Sequence, residues 1–252
     1  MIAVISPAKS LDFETDVPDL ALTNIRFPDE TAQLAKGLGN MSKKKLQTVI
    51  PVSNKLIDLN YSRYREFSSQ PQRAAIYAYN GDVYTGFEAQ SLDEESIQFA
   101  QNHVRILSGL YGLLRPLDPI QPHRLEMGTK WAPRLKKLTD FWKDKIAQEL
   151  SGDLAESGGK IIVNLASNEY WAAVKPYAKR LEASIIGVDF RHKGLDGPKF
   201  ISFEAKRARG MMARYICENH LQDAESLKAF DYDGYVYDEQ NSTPTLLSFV
   251  RS

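Results

Sequence analysis

Several segments of this 252-residue chain combine residue types that bind anions or move protons. The first, Ser6-Pro7-Ala8-Lys9-Ser10, follows an apolar opening run. A hydroxyl and an ammonium at the end of a strand suit a phosphate, although the glycine frame of a Walker A loop is absent. Gly81-Asp82-Val83-Tyr84-Thr85-Gly86 brackets an acid and an aromatic with glycines, as a ligand-lining loop does and as a plain turn does. A third segment runs Ser108-Gly109-Leu110-Tyr111-Gly112-Leu113-Leu114-Arg115-Pro116-Leu117-Asp118-Pro119 and on to Pro122-His123-Arg124-Leu125-Glu126-Met127-Gly128. Arg115 and Arg124 are bidentate oxyanion donors, and Glu126 is a partner for either. In Asn164-Leu165-Ala166-Ser167-Asn168-Glu169-Tyr170, Ser167 and Asn168 open a helix, where they serve a ligand or cap the backbone.

Two further segments are basic. Residues 43–66 hold Lys43, Lys44, Lys45, Lys55, Arg63 and Arg65 against Asp58 and Glu66. Residues 204–214 hold Lys206, Arg207, Arg209 and Arg214 against Glu204. Standard catalytic and metal sets are missing. His103, His123, His192 and His220 have no ligand spacing, and no nucleophile elbow or dinucleotide fingerprint occurs. No metal and no cofactor are expected.

Thirty-two basic residues balance 32 acidic ones, which excludes a uniformly basic nucleic-acid binder. The charges are segregated, however. Acids crowd residues 12–30 and 218–239, while bases crowd 43–66, 124–145 and 204–214. If the fold gathers the basic stretches, one face can hold a polyanion at zero net charge; otherwise they are solvated faces. Cys217 is the only cysteine, so no intrachain disulfide can form. No run reaches the ~18 apolar residues that span a bilayer. The start lacks a signal-like pattern, and a cytoplasmic, non-membrane protein is expected.

The elements that position these residues follow from periodicity. Strands are expected at residues 2–5, 74–78, 104–107, 161–164, 184–188, 200–203, 235–237 and 246–250. The turn-forming run Gly194-Leu195-Asp196-Gly197-Pro198 predicts a hairpin between two of them. Helices are expected at 29–38, 92–101, about 140–150, from Glu169 until Pro176 ends or kinks it, and 204–220. Residues 42–67 read as two short helices around Ile57-Asp58-Leu59-Asn60. The fold class is α/β with a mixed sheet of α+β character. It is one compact domain over residues 1–252, with a monomer favoured.

Several blocks resemble, in order, the bacterial YaaA peroxide-stress proteins. They are Ile5-Ser6-Pro7-Ala8-Lys9-Ser10-Leu11-Asp12, Gly81-Asp82-Val83-Tyr84-Thr85-Gly86, Leu107-Ser108-Gly109-Leu110-Tyr111-Gly112, Leu114-Arg115-Pro116-Leu117-Asp118, Arg124-Leu125-Glu126-Met127-Gly128, Asn164-Leu165-Ala166-Ser167 and Lys206-Arg207-Ala208-Arg209-Gly210. The resemblance implies a cytosolic protein that helps cells survive hydrogen peroxide by holding down unincorporated iron. It also implies a distinctive α/β fold, DNA binding, and a helix-hairpin-helix element beside a positively charged cleft. Residues 42–67 are the candidate for that element, without the glycines such hairpins favour.

The functional expectation is a sequence-tolerant DNA binder, for duplex and for distorted or bulged forms. Lys43, Lys44, Lys45, Lys55, Arg63 and Arg65 would contact phosphates, and Arg115, Arg124, Lys206, Arg207 and Arg209 would line the cleft. Tyr84 or Tyr111 would stack on an unpaired base. The alternative is an enzyme acting on a nucleotide or other small anion in the same cleft, with Ser6, Lys9, Tyr84, Tyr111, Glu126, Ser167 and Asn168 as candidates and Lys9 or Glu126 transferring protons.

Overall fold

The computed structural model describes residues 1–194 and 197–252. Its centre is the opening strand, β1 (Ile2–Ile5), in which every residue is buried. A strand apolar on both faces belongs inside a parallel sheet, and β1 lies there. Six more strands follow: β2 (Val104–Ser108), β3 (Gly112–Leu114), β4 (Ile161–Asn164), β5 (Ser184–His192), β6 (Tyr235–Tyr237) and β7 (Leu246–Arg251). Their spatial order is β6-β7-β5-β4-β1-β2-β3. The five central strands are parallel, with Ala3 opposite Val104 on one side and Val163 on the other, and each edge strand is antiparallel. The mixed sheet is therefore a parallel core with reversed edges.

The chain leaves β1 toward β2 and β3 on one side. It then crosses to the other side of β1 for β4, β5 and the rest. Loops leaving β1 and β4 diverge at this change of direction and open a crevice beyond the carboxyl ends of the strands.

The main helices are α1 (Pro28–Gly39), α2 (Lys43–Val49), α3 (Asn54–Arg65), α4 (Asp82–Phe87), α5 (Glu94–His103), α6 (Lys145–Ser157) and α7 (Ser202–Glu218). The periodicity of α7 buries Ala205, Ala208, Met212 and Ile216 and leaves Lys206 and Arg207 exposed. Cys217 is also fully buried on it, and burial pushes its thiol far up from the usual range. Helix α7 crosses α4 at backbone contact. A Cβ on Gly210 would overlap the Val83 carbonyl oxygen, and one on Gly86 would overlap that of Arg207. One hydrophobic cluster runs from Met1 to Phe249.

At the opposite end of the sheet, the buried Asp153 of α6 takes both Arg105 from β2 and Arg26 (Oδ2 to Arg105 Nε, 2.7 Å; Oδ2 to Arg26 Nη1, 3.0 Å). Burial alone would raise the Asp153 pKa, but the two guanidinium groups outweigh it and hold it below the usual carboxylate range.

Several expected elements differ. Residues 74–78 are not a strand: Arg73–Ala74 pairs with Pro119–Ile120, and Ala75–Ala78 forms a helical turn. Residues 200–203 lead into α7, because Ser202 opens a helix whose apolar stripe continues for four turns. The expected helix near 140–150 breaks at Lys143, which has positive φ, into Leu138–Trp142 and α6. Ser167 rather than Asn168 caps the helix at Asn168–Trp171, and Pro176 stands in a following 3-10 segment. Of the expected hairpin turn, Leu195 and Asp196 lie outside the described residues; a bridge joins His192 to Lys199 beside them. Ile57–Asn60 does not form the turn between α2 and α3. It lies inside α3, and the connection is Ile50-Pro51-Val52-Ser53.

Two alanine substitutions check this packing by thermal unfolding. Gly210→Ala is expected to lower stability by several kcal/mol, on the scale of severe overpacking, because backbone must move. Gly152→Ala, in α6 with nothing within 4 Å of the new carbon, is expected to raise it by about 0.5–1 kcal/mol.

Candidate functional site

The crevice at the divergence of β1 and β4 is a cleft of about 420 Å³. One wall is the loop Ser6–Ser10, which continues β1. The second is the Leu165–Tyr170 segment, which continues β4. The third is the start of α4 with Asn80 and Gly81, and α7 closes it with Lys206 and Arg209. Each wall is thus the continuation of an element whose apolar residues fix it in the core.

The two strand ends are tied together. Ser167 N–H donates to Ser6 Oγ at 2.9 Å, and Ser6 Oγ donates to Ser167 Oγ at 3.4 Å. The Tyr84 hydroxyl donates to the Ser6 carbonyl oxygen at 3.2 Å. These bonds hold the floor of the cleft rigid.

A much smaller chamber adjoins it behind Pro7, Ala8, Lys9 and Tyr170, lined also by Tyr79, Ser108, His123, Arg124 and Glu126. At about 10 Å³ it is the size of one water molecule. His123 is buried there. Its Nδ1 lies 2.7 Å from the Gln121 carbonyl oxygen, which only accepts, so Nδ1 carries the proton and Nε2 is an acceptor with no protein partner. Burial lowers its pKa to about 4, so the ring is neutral near pH 7.

The cations of the site are unequally engaged. Glu126 Oε1 holds both Arg124 Nη2 at 2.9 Å and Lys9 Nζ at 3.4 Å. Lys206 pairs with Asp82 at 3.4 Å. Arg209 has no ion pair or side-chain hydrogen bond among the described residues. Burial lowers its pKa, and Asp189, the carboxylate that acts on it, is bonded to Arg191 at 2.6 Å. Glu169 lines the cleft and accepts from Gly128 N–H at 3.2 Å.

Beside this cleft stands the α2–α3 pair. The Tyr64 hydroxyl of α3 donates to the Arg124 carbonyl oxygen at 2.8 Å, which ties α3 to the wall of the inner chamber. Arg63 is partly buried near His123 and its pKa is lowered by burial. Lys44, Lys45, Lys55 and Arg65 are exposed. Among the described residues these four and Arg63 have no carboxylate partner, whereas Lys43 pairs with Asp58 at 2.7 Å.

The structure therefore brings together Ser6, Lys9, Ser167, Lys206 and Arg209, with Arg124 and Glu126 next to them. It sends others elsewhere. Arg115 is not in the cleft. It follows β3, which runs back antiparallel to the other end of the sheet, and there it bonds Asp118 and the Asn24 carbonyl oxygen. Arg207 projects to another side of α7 and pairs with Asp233 at 3.5 Å. Asn168 is exposed and does not line the cleft. Tyr84 and Tyr111 are buried, Tyr111 with its hydroxyl accepting from Gln121 N–H, so neither can stack on a base. The sequence pattern placed Asp82 in a ligand-lining loop and Glu169 and Tyr170 in the segment after Asn164 without a role for either, and did not mark Asn80 or the acceptor role of His123. The one available signal for His123 was its place between Pro122 and Arg124 in a Gly- and Pro-rich segment.

Among the described residues no three His, Cys, Asp or Glu side chains are grouped as metal ligands, and no helix is long and apolar enough to cross a membrane.

Because the folded state holds His123 at a pKa near 4 and the unfolded chain leaves it near 6.5, the unfolded state binds the proton more readily in between. Stability from keeping His123 neutral is thus complete above about pH 6.5 and is lost as the pH falls toward 4, on the order of 3 kcal/mol in all. His103, also held down by burial, acts in the same direction. Denaturant titrations between pH 4 and 7 are expected to show this slope, reduced in His123→Gln.

A family model described as "Peroxide stress protein YaaA" matches residues 1–241. The chain is 51% identical over 253 residues to a UPF0246 protein of Rhizorhabdus wittichii, covering all of both chains. It is 48% identical to UPF0246 proteins of Alteromonas mediterranea and Idiomarina loihiensis, covering all of this chain and 98% and 99% of theirs.

Proposed function

The chain belongs to the peroxide stress protein YaaA family, and from that premise we propose that it protects DNA under peroxide stress by binding it, with the α2–α3 pair as the main contact surface. The carrying observation is that Lys44, Lys45, Lys55, Arg63 and Arg65 lack carboxylate partners while most cations of α7 have them. A cation already held by a carboxylate must give up that bond to meet a phosphate; a free one need not.

The connection Ile50-Pro51-Val52-Ser53 bears on how phosphates are held. Pro51 has no N–H to donate, but among the described residues Val52, Ser53 and the first turn of α3 keep unpaired amides, so backbone and side chains of this pair can both meet phosphates. Such contacts read no base edges, and binding is sequence-tolerant. Bound protein limits damage by unincorporated iron through occupancy of the polyanion that attracts the metal ion. For distorted DNA the exposed aromatics are Phe200 and Phe203, 52% and 60% accessible, and Phe203 precedes Lys206 by one turn of α7. An exposed phenyl ring beside a cation suits an unpaired base.

Fluorescence anisotropy with labelled duplex and bulged DNA across a salt series tests this. Lys44→Glu with Lys55→Glu is expected to weaken binding to every sequence by at least tenfold and to flatten the log–log salt slope by about two. Unchanged affinity in the folded double variant removes α2–α3 from the interface. Phe203→Ala is expected to cost about 1–3 kcal/mol on bulged DNA and little on intact duplex.

A further inference from the structure

We propose that the cleft beyond β1 and β4 binds a phosphorylated, hydroxyl-bearing small molecule of nucleotide size, its phosphate on Arg209. The proposal does not rest on the α2–α3 DNA surface, although Lys206 of the cleft also stands one turn from Phe203.

Three observations converge. Arg209 is a guanidinium set partly out of water, facing the cleft, with no hydrogen bond or ion pair to the protein among the described residues. A desolvated cation without a partner costs stability, and an oxyanion held bidentately offsets that cost. The cleft lies where the loops after β1 and β4 diverge, the place at which open parallel sheets hold their ligands. Its volume of about 420 Å³ falls within the roughly 300–1,000 Å³ of small-molecule sites, and no duplex can enter it.

The lining chemistry narrows the ligand. Lys9 and Lys206 also line the cleft, but Glu126 and Asp82 hold them, so Arg209 is the cation open to a phosphate and the two lysines are its flanking charge. Asp82 and Glu169 also line the cleft. A plain anion would be repelled by these two carboxylates, whereas sugar hydroxyls donate to them. Ser6 and Ser167 supply hydroxyls on the floor, and Asn80 an amide on the rim. An anion carried on a polyol satisfies both signs of charge; a bare anion satisfies one.

The test is calorimetric titration of the full chain with AMP, ribose 5-phosphate, inorganic phosphate and adenosine. At least one of the two esters is expected to saturate a single site. Arg209→Gln is expected to weaken that binding at least tenfold, and Arg209→Lys to recover part of it. Tighter binding of AMP than of ribose 5-phosphate identifies the ligand as a nucleotide, and equal binding as a sugar phosphate. Three results overturn the proposal: neither ester saturates the folded wild-type protein, folded Arg209→Gln binds as well as wild type, or adenosine or inorganic phosphate binds as tightly as the esters. The DNA measurement keeps the two readings apart. Arg209→Gln is expected to hold DNA within twofold of wild type, and the Lys44→Glu, Lys55→Glu double variant to lose DNA while keeping the ester.

Discussion

Two helices that touch backbone to backbone set the geometry of the carboxyl end of this sheet. At the crossing of α4 and α7, Gly86 and Gly210 leave no room for a Cβ. The close approach brings Asp82 within reach of Lys206, and the next turn of α7 places Arg209 over the strand ends. Arg214 fastens the same crossing further along, donating to the Phe87 and Glu88 carbonyl oxygens. A wider crossing, as ordinary side chains would impose, would lift the cations of α7 away from the loops after β1 and β4. The cleft is therefore a product of helix packing as much as of sheet topology.

The two ends of the sheet treat charge in opposite ways. At one end Asp153 pairs with two guanidinium groups. With Arg115 they line a second cleft of about 400 Å³, in which each of these guanidinium groups already has a carboxylate partner. At the other end Arg209 and the His123 acceptor remain unsatisfied by the protein. Among the described residues the one fully buried side-chain polar atom without a partner is Asn60 Oδ1 of α3, so at the cleft it is the half-buried, unpaired Arg209 that points to recognition. The same contrast separates α7, whose outer cations are mostly paired, from α2–α3, whose cations are mostly free.

The strands were legible in the sequence because burial on both faces leaves an apolar run that little else resembles: Ile2–Ile5 and Ile161–Asn164 stand out for that reason. The loops with chemistry were legible too, since Ser6, Lys9 and Ser167 follow those strands directly. Partnership was not. Arg115 meets Asp118 only three residues on, but the antiparallel turn that carries both to the far end of the sheet is a tertiary feature. That Arg207 and Lys206, adjacent in the chain, face different neighbours depends on contacts distant in sequence. Residues 74–78 read as a strand because Ala, Ile and Tyr suit either state, and only the pairing of Arg73–Ala74 with Pro119–Ile120 decides where the strand stops. Tyr84 and Tyr111 look like stacking residues by type, yet both rings fill the core.

The sulfur atoms of the chain have a common placement. Cys217, Met127 and Met212 are fully buried, Met1 and Met211 nearly so, and Met41 is half-covered. Peroxide attacks the thiolate, and burial keeps Cys217 in the thiol form. A member of a peroxide stress family thus keeps its most oxidisable atoms behind its own core. Oxidation of these atoms would first require the core to open, so their lifetime in peroxide is tied to the stability of the fold.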